Sequence, residues 1–236
     1  KVIFVQIVDE FAGENLLVVT RNGQIKQIER ESFSPWLTYR AKSTPYAKLK
    51  GEDDEIVLIT PVQFADLILI SENGYALRFN LDDVPVLGAR AAGVKAMNLK
   101  NGDKIKSAFF VNSNSWYLLT QRAFIKRVKT DDIPATSRAN RGLQVLRTLK
   151  TNNHTVFAAG LINSTADLSA LTEELDLFSQ AKAPATKETD EQVLEVISET
   201  GKKYDINLCD LSLSDRTSNG HPIADDLEKI ASVKIK

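Results

Sequence analysis

LILISENGYALRFNLDDVPVLGARAAGVKAMNLKNGDKIKSAFFV, residues 67–111, decides how the rest of the chain is read. The apolar run Leu67–Ile70 meets Asn73-Gly74, a pair suited to the positive φ angles of a tight hairpin turn. Beyond the turn, Tyr75, Leu77, Phe79 and Leu81 alternate with Ala76, Arg78, Asn80 and Asp82. That period of two predicts a half-buried strand with Arg78 on its polar face. A loop carrying Arg90 and Gly93 follows, and the apolar segments Val94–Leu99 and Ile105–Val111 flank a second turn at Asn101-Gly102-Asp103. The stretch reads as four strands in about 45 residues.

The unit recurs. Leu17–Gly23 matches Leu67–Gly74 at a spacing of 51, with Gln24–Ile28 as its second strand. Trp116–Val128 matches at a spacing of 49, with Ala123 in place of the turn glycine and Gly142-Leu143 matching Gly93-Val94. A fourth copy runs from Leu194 to Gly201, and Gly220 matches Gly93 at the same displacement of 127. Repeats of four short strands at about 40–50 residues indicate an all-β, propeller-like array of blades.

We therefore expect one domain over residues 1–236, with blades at 15–61, 67–111, 116–162 and 194–236. Residues 1–14 read as the closing strand of an earlier blade, and a chain that does not begin with Met is expected to be part of something longer. Residues 163–193 are an insertion. Leu168, Leu171, Leu175 and Phe178 at helical spacing predict one amphipathic helix near 167–179, covering a blade edge or docking a partner. Ala181–Gln192 reads as a linker.

With 43% hydrophobic residues the chain has enough apolar material for a buried core, and no apolar run approaches the roughly 18–20 residues that span a bilayer. A lone cysteine, Cys209, rules out an intramolecular disulfide and a cysteine-based metal site. It is expected to pack on the second strand of repeat four, and a cytoplasmic address follows by default. His154 and His221 neighbour no nucleophile or metal set, and His154 reads as an exposed turn residue. The acidic run Glu52–Glu55 occupies the place of the Asn101–Asp103 turn and reads as solvated. There is no P-loop and no dinucleotide fingerprint, so no catalytic constellation and no cofactor is expected.

The net charge of −1 conceals a division. Residues 1–162 hold 22 Lys and Arg against 16 Asp and Glu, whereas residues 163–236 hold 8 against 15. A basic half suits a polyanion. Repeat three is the most basic, with Ser137-Arg138-Ala139-Asn140-Arg141-Gly142 where repeat two has Arg90-Ala91-Ala92-Gly93. Guanidinium groups beside a glycine bend approach phosphates closely, and loops at equivalent places on successive blades are expected to line one rim. In repeat one, Trp36 and Tyr39 are available either to stack on bases or to anchor their loop. Repeat four has Asp205 for Arg78 and Thr217 for Arg90, and is expected to contribute little to anion binding.

The order of apolar strand, Asn-Gly-like turn, Lys/Arg-containing strand, Arg-x-x-Gly loop and Gly-Asp turn resembles the C-terminal domain of bacterial type II topoisomerase A subunits. Ser71–Phe79, Arg90–Val94 and Gly102-Asp103 carry the resemblance most clearly. It implies a β-pinwheel, a disc of four-stranded blades that exchange strands, which binds and bends DNA on a basic outer rim. The Gln-Arg-Arg-Gly-Gly-Lys-Gly box of gyrase has only a partial echo, at Arg138–Leu143, so the likeness leans to the topoisomerase IV side of the family. The resemblance implies a non-catalytic part of an ATP-dependent isomerase. Its implied partners are double-stranded DNA, the ATPase subunit of the same enzyme, and the remainder of the A subunit. The implied setting is bacterial and nucleoid-associated, without a membrane. The candidate DNA-binding residues are Lys26, Arg40, Lys42, Lys48, Lys50, Arg78, Arg90, Lys95, Arg122, Lys126, Arg127, Lys129, Arg138, Arg141 and Arg147. The alternative is a protein-interaction propeller whose charges serve solubility.

Overall fold

The computed structural model describes residues 15–33, 47–88, 90–162, 192–227 and 229–236. They divide into two compact units, one reaching Val111 and including Ile133–Gln144, the other comprising Asn112–Asp132 and the residues from Val145 onward. Each unit contains two antiparallel sheets. The closing strand expected at 1–14, the helix expected near 167–179, and Trp36, Tyr39, Arg40 and Lys42 lie outside the described residues.

Each repeat builds the same three-strand core. In the first unit, β1 (Asn15–Thr20) pairs with β2 (Gln24–Glu29) and β3 (Ile56–Pro61), and β4 (Asp66–Ser71) pairs with β5 (Tyr75–Asn80) and β7 (Ile105–Phe110). In the second, β8 (Ser115–Thr120) pairs with β9 (Phe124–Lys129) and β11 (Val156–Leu161), and β12 (Val193–Ser198) pairs with β13 (Lys203–Asn207) and β15 (Ile230–Ile235). The first strand of every repeat lies between the other two. That placement explains why Leu16–Val19, Leu67–Ile70 and Trp116–Leu119 are unbroken apolar runs, buried on both faces, rather than alternating ones. A register shift recurs where each first strand ends, at Val19/Thr20, Ile70/Ser71, Val156/Ala158 and Ile197/Ser198. Such a bulge bends the strand towards its turn.

The hairpin turns explain a second regularity of the sequence. The last residue of each first strand is Thr20, Ser71, Thr120 or Ser198, and its hydroxyl accepts the N–H of Gln24, Tyr75, Phe124 or Lys202 at 3.0–3.3 Å. Only the residue after Asn73 takes a positive φ: Gly74 has φ +79°, and Asn73 stays outside the left-handed region. In repeat three Ala123 adopts φ +57° at the same place, a conformation that costs a residue with a Cβ about 1 kcal/mol.

The fourth strand of each sheet comes from the following repeat. Val94–Lys95 (β6) does not close its own blade, as the sequence reading had it. It pairs with β2 through Ile25↔Val94 and Gln24↔Lys95. Likewise Leu143–Gln144 (β10) pairs with β5, and His221–Pro222 (β14) with β9. These are the strand exchanges that the family resemblance implied. The strands are also shorter than Val94–Leu99 suggested, because Ala96 and Met97 turn into the core. Sheet β13-β12-β15 has three strands among the described residues.

Helical structure among the described residues is confined to three- and four-residue 3-10 turns after the second strands. Cys209 lies in one of these, Leu208–Asp210, and not on a strand: the Asn207 side chain accepts the Cys209 N–H at 3.0 Å and ends β13 there. Phe79, Leu69, Leu77 and Met97 anchor the core of the first unit, and Leu119, Ile125, Leu194 and Val196 that of the second.

Candidate nucleic-acid interface

The loop that leads into each donated strand is locked down by the same contacts. In the first unit Gln27 forms a parallel bridge with Val86, and Gln27 N–H and C=O bond Pro85 O and Leu87 N at 3.1 and 2.9 Å. Arg78 bridges Ala135, with Thr136 N–H donating to Arg78 O at 2.9 Å. In the second unit Arg127 bridges Leu213, and Ser214 N–H donates to Arg127 O at 2.9 Å. The chain then crosses at a glycine pressed onto the backbone: a Cβ on Gly93, Gly142 or Gly220 would lie 2.6, 2.3 or 2.4 Å from the carbonyl oxygen of Ile25, Ala76 or Ile125. Each of these glycines has φ between +82° and +93°. The glycine of the Arg-x-x-Gly stretch is thus a docking point shared by all three loops, with Ala139 and Thr217 at the arginine position in the other two.

The candidates fall into three groups. Lys48, Lys50, Arg90, Lys95, Lys129 and Arg147 are exposed. Of these, Arg90, Lys95 and Arg147 lie on or just beyond the docked loops, and Lys129 ends β9. Lys95 Nζ reaches Asn98 Oδ1 at 2.7 Å, and the Arg147 backbone N–H donates to Asn219 Oδ1 at 2.9 Å. Lys48 and Lys50 sit instead at the turn before β3.

Arg78, Arg122, Arg127, Arg138 and Arg141 are half-buried and tied locally. Arg78 forms a two-nitrogen pair with Asp66 at 2.8 and 2.7 Å, so its charge is already matched. Arg127 donates to Ser115 Oγ at 2.9 Å and Cys209 O at 3.1 Å. Arg138 donates to Asp83 O at 3.1 Å and to Lys95 O, bringing its guanidinium beside the Lys95 backbone. Arg141 lies over the Tyr75 ring at 4.1 Å, a cation–π contact that ties the guanidinium to the blade. Arg78 and Arg141 share a groove of about 250 Å³ with Thr136 and Asn140. Arg122 is at the hairpin end of repeat three and does not join the loop group.

Lys26 and Lys126 are the exception to a rim assignment: both are 1% exposed. Lys26 Nζ donates to Gly88 O at 3.1 Å. Lys126 Nζ donates to Val145 O, Arg216 O and Ser218 O at 2.5, 2.7 and 2.7 Å. These ammonium groups are enclosed by loop carbonyls, and burial lowers the pKa of both, that of Lys126 to about 7. The signal for burial was present in the repeat alignment, because Leu77 occupies the same position in repeat two. His154, read from sequence as exposed, is also interior, with Nδ1 3.1 Å from Thr120 Oγ1. Within the acidic run, Asp54 is buried and accepts the N–H groups of Asn22 and Lys50 at 2.8 and 3.0 Å, while Glu52, Asp53 and Glu55 are exposed.

Charge on the loops is uneven between repeats. In the loop of repeat four Arg216 is accompanied by Asp215, which accepts Thr217 N–H at 2.7 Å and whose pKa is lowered chiefly by the Thr217 bonds. No group of three or more His, Cys, Asp or Glu residues suited to a metal ion occurs among the described residues.

Residues 14–63, 65–112 and 114–163 each match the family model of the DNA gyrase C-terminal domain, beta-propeller. Over 227 residues, or 96% of its length, the chain is 51% identical to the A subunit of DNA topoisomerase 4 from Streptococcus pyogenes. It is 48% identical over 228 residues to the counterpart of that protein from Streptococcus pneumoniae. The chain spans about a quarter of these relatives, 27% and 26% of their length. Among solved structures, a crystal structure of the C-terminal domain of DNA topoisomerase IV superposes with a TM-score of 0.74 at 30% identity, covering 96% of this chain and 63% of that one.

Proposed function

This chain belongs to the family of DNA gyrase C-terminal domains, β-propellers of type II topoisomerase A subunits, and from that premise we propose that it binds and bends duplex DNA without reading its sequence. It has no catalytic role of its own. It positions a duplex segment for strand passage by an ATP-dependent topoisomerase, which is built from an ATPase subunit together with the remainder of the A subunit. The setting is cytoplasmic and nucleoid-associated.

The observation that carries the reading is the recurrence of cations on or beside the docked loops, Arg90, Lys95, Arg138 and Arg141 in the first unit and Arg147 in the second. Cations that recur from loop to loop suit a phosphate backbone, not a base sequence. Each phosphate contact contributes about 0.9 to the slope of log K against log salt. Arg90, Lys95, Lys129 and Arg147 are exposed, so truncating them leaves the blades intact. The variant carrying Arg90→Ala, Lys95→Ala, Lys129→Ala and Arg147→Ala is expected to bind a fluorescein-labelled duplex more weakly. Its salt slope should be shallower by about 3–4, as four lost contacts require. An unchanged slope in fluorescence anisotropy would assign these charges to solubility and favour a protein-interaction propeller.

A further inference from the structure

The hairpin end of repeat three departs from its sisters in a coordinated way. In repeats one and two the turn N–H of Asn22 or Asn73 donates to a buried carboxylate, Asp54 Oδ1 at 2.8 Å or Asp103 Oδ1 at 3.0 Å. In repeat three Arg122 stands at the asparagine position and His154 at the aspartate position. The backbone fixes this equivalence: the N–H groups of Arg21, Glu72 and Gln121 donate to the carbonyls of Glu55, Lys104 and Thr155, each one residue beyond the group compared. The exchange removes a carboxylate and adds a guanidinium.

Arg122 Nη1 donates to Asn152 O at 3.1 Å and lies 3.3 Å from His154 Nε2. A guanidinium has no acceptor, so Nε2 accepts and Nδ1–H is directed to Thr120 Oγ1. Burial, and then the Arg122 charge, hold the His154 pKa below its usual value, in keeping with a neutral ring. No acceptor among the described residues replaces the aspartate at the Arg122 backbone N–H. The turn borders a cleft of about 580 Å³ lined by Arg122, Phe124, Asn152, Asp225 and Lys229 among others. Lys229 is exposed, and Asp225 is the one carboxylate among the described residues of the lining.

We propose that this cleft binds a phosphate group, whose oxygens accept the Arg122 N–H and guanidinium in place of the carboxylate that the sister repeats supply to the turn, with Lys229 adding charge and His154 left in its buried position. Resting on the DNA reading, the phosphate is one of a nucleic-acid backbone, engaged at the hairpin end and separate from the docked loops. Arg122 thereby acts as a directed ligand and not as one more diffuse surface charge.

The test is NMR titration of the 15N-labelled chain with inorganic phosphate, followed by anisotropy with duplex DNA across a salt series. The comparison is a variant with Arg122→Asn and His154→Asp, which rebuilds the arrangement on which repeats one and two fold. Phosphate is expected to shift the Arg122 amide of the wild type in a saturable manner and to leave the amide at position 122 of the variant unmoved. The variant should bind duplex with a salt slope lower by about 0.9, one contact. No saturable shift at Arg122 overturns the site. A shift accompanied by an unchanged duplex slope overturns the backbone source and leaves free phosphate as the ligand. A shift in a wild-type chain that fails to bind duplex at low salt keeps the site and overturns the DNA reading instead.

Discussion

Replacing Gly142 with alanine is expected to dislodge β10 from β5 and to lower stability by about 3–5 kcal/mol. Two effects add. With φ at +82° the residue is left-handed, which costs a side chain about 1–2 kcal/mol. The new Cβ would also lie 2.3 Å from Ala76 O and 2.7 Å from Ala76 C, both backbone atoms that cannot turn aside. The strand they would push away is held by two residue pairs, Leu143↔Ala76 and Gln144↔Tyr75. Gly201 separates the two effects, since it has φ +83° and nothing within 4 Å of an added Cβ. Gly201→Ala should therefore cost only about 1–2 kcal/mol. Urea unfolding followed by circular dichroism measures both. Equal losses would mean that φ alone matters and that the loop is not held by close backbone approach.

Lys126→Met is expected to be the next most damaging change. Methionine fits the space, as Leu77 does in repeat two, but leaves Val145 O, Arg216 O and Ser218 O without their common donor. Stranded carbonyls of this kind cost about 1–3 kcal/mol each at most, and partial hydration of the exposed loop brings the sum to about 2–4 kcal/mol. The pH dependence carries its own signature. Burial lowers the Lys126 pKa from 10.5 to about 7. Between those values the unfolded chain binds a proton that the folded chain lacks, so this group makes stability rise with pH from about 7 towards 10.5. Below pH 7 the folded state holds a buried ammonium at a cost. The difference in urea midpoint between wild type and Lys126→Met should accordingly widen from pH 6 to pH 9. A difference that stays flat over that range would show that the three carbonyls hold the ammonium charged.

The blade was legible because its signals are local. Leu67–Ile70 before Asn73-Gly74, and Ser or Thr at the end of each first strand, specify a capped hairpin, and repetition fixed its neighbours. Which sheet the Val94–Lys95 strand joins was not legible from local pattern, because a two-residue strand has too little alternation to choose a partner. Gly93 carried that information, but as a close approach to Ile25 O that only coordinates reveal. The basic loops were found as a composition, whereas their division into exposed and enclosed cations depends on what lies opposite. Arg78 faces Asp66 across one hairpin, and Lys126 faces carbonyls up to 92 residues away. His154 was misread for a related reason. A histidine in an Asn-rich turn looks exposed until the turn is aligned with Asp54 and Asp103, which are buried in its sisters.

The most direct test of the account maps duplex DNA on the chain by hydrogen–deuterium exchange, with and without an unspecific duplex at low salt. Protection should concentrate in 86–95 and 135–147, where docked loops hold Arg90, Lys95, Arg138, Arg141 and Arg147, and should spare 193–210 on repeat four. Protection confined to repeat four, or none in either loop, would contradict it.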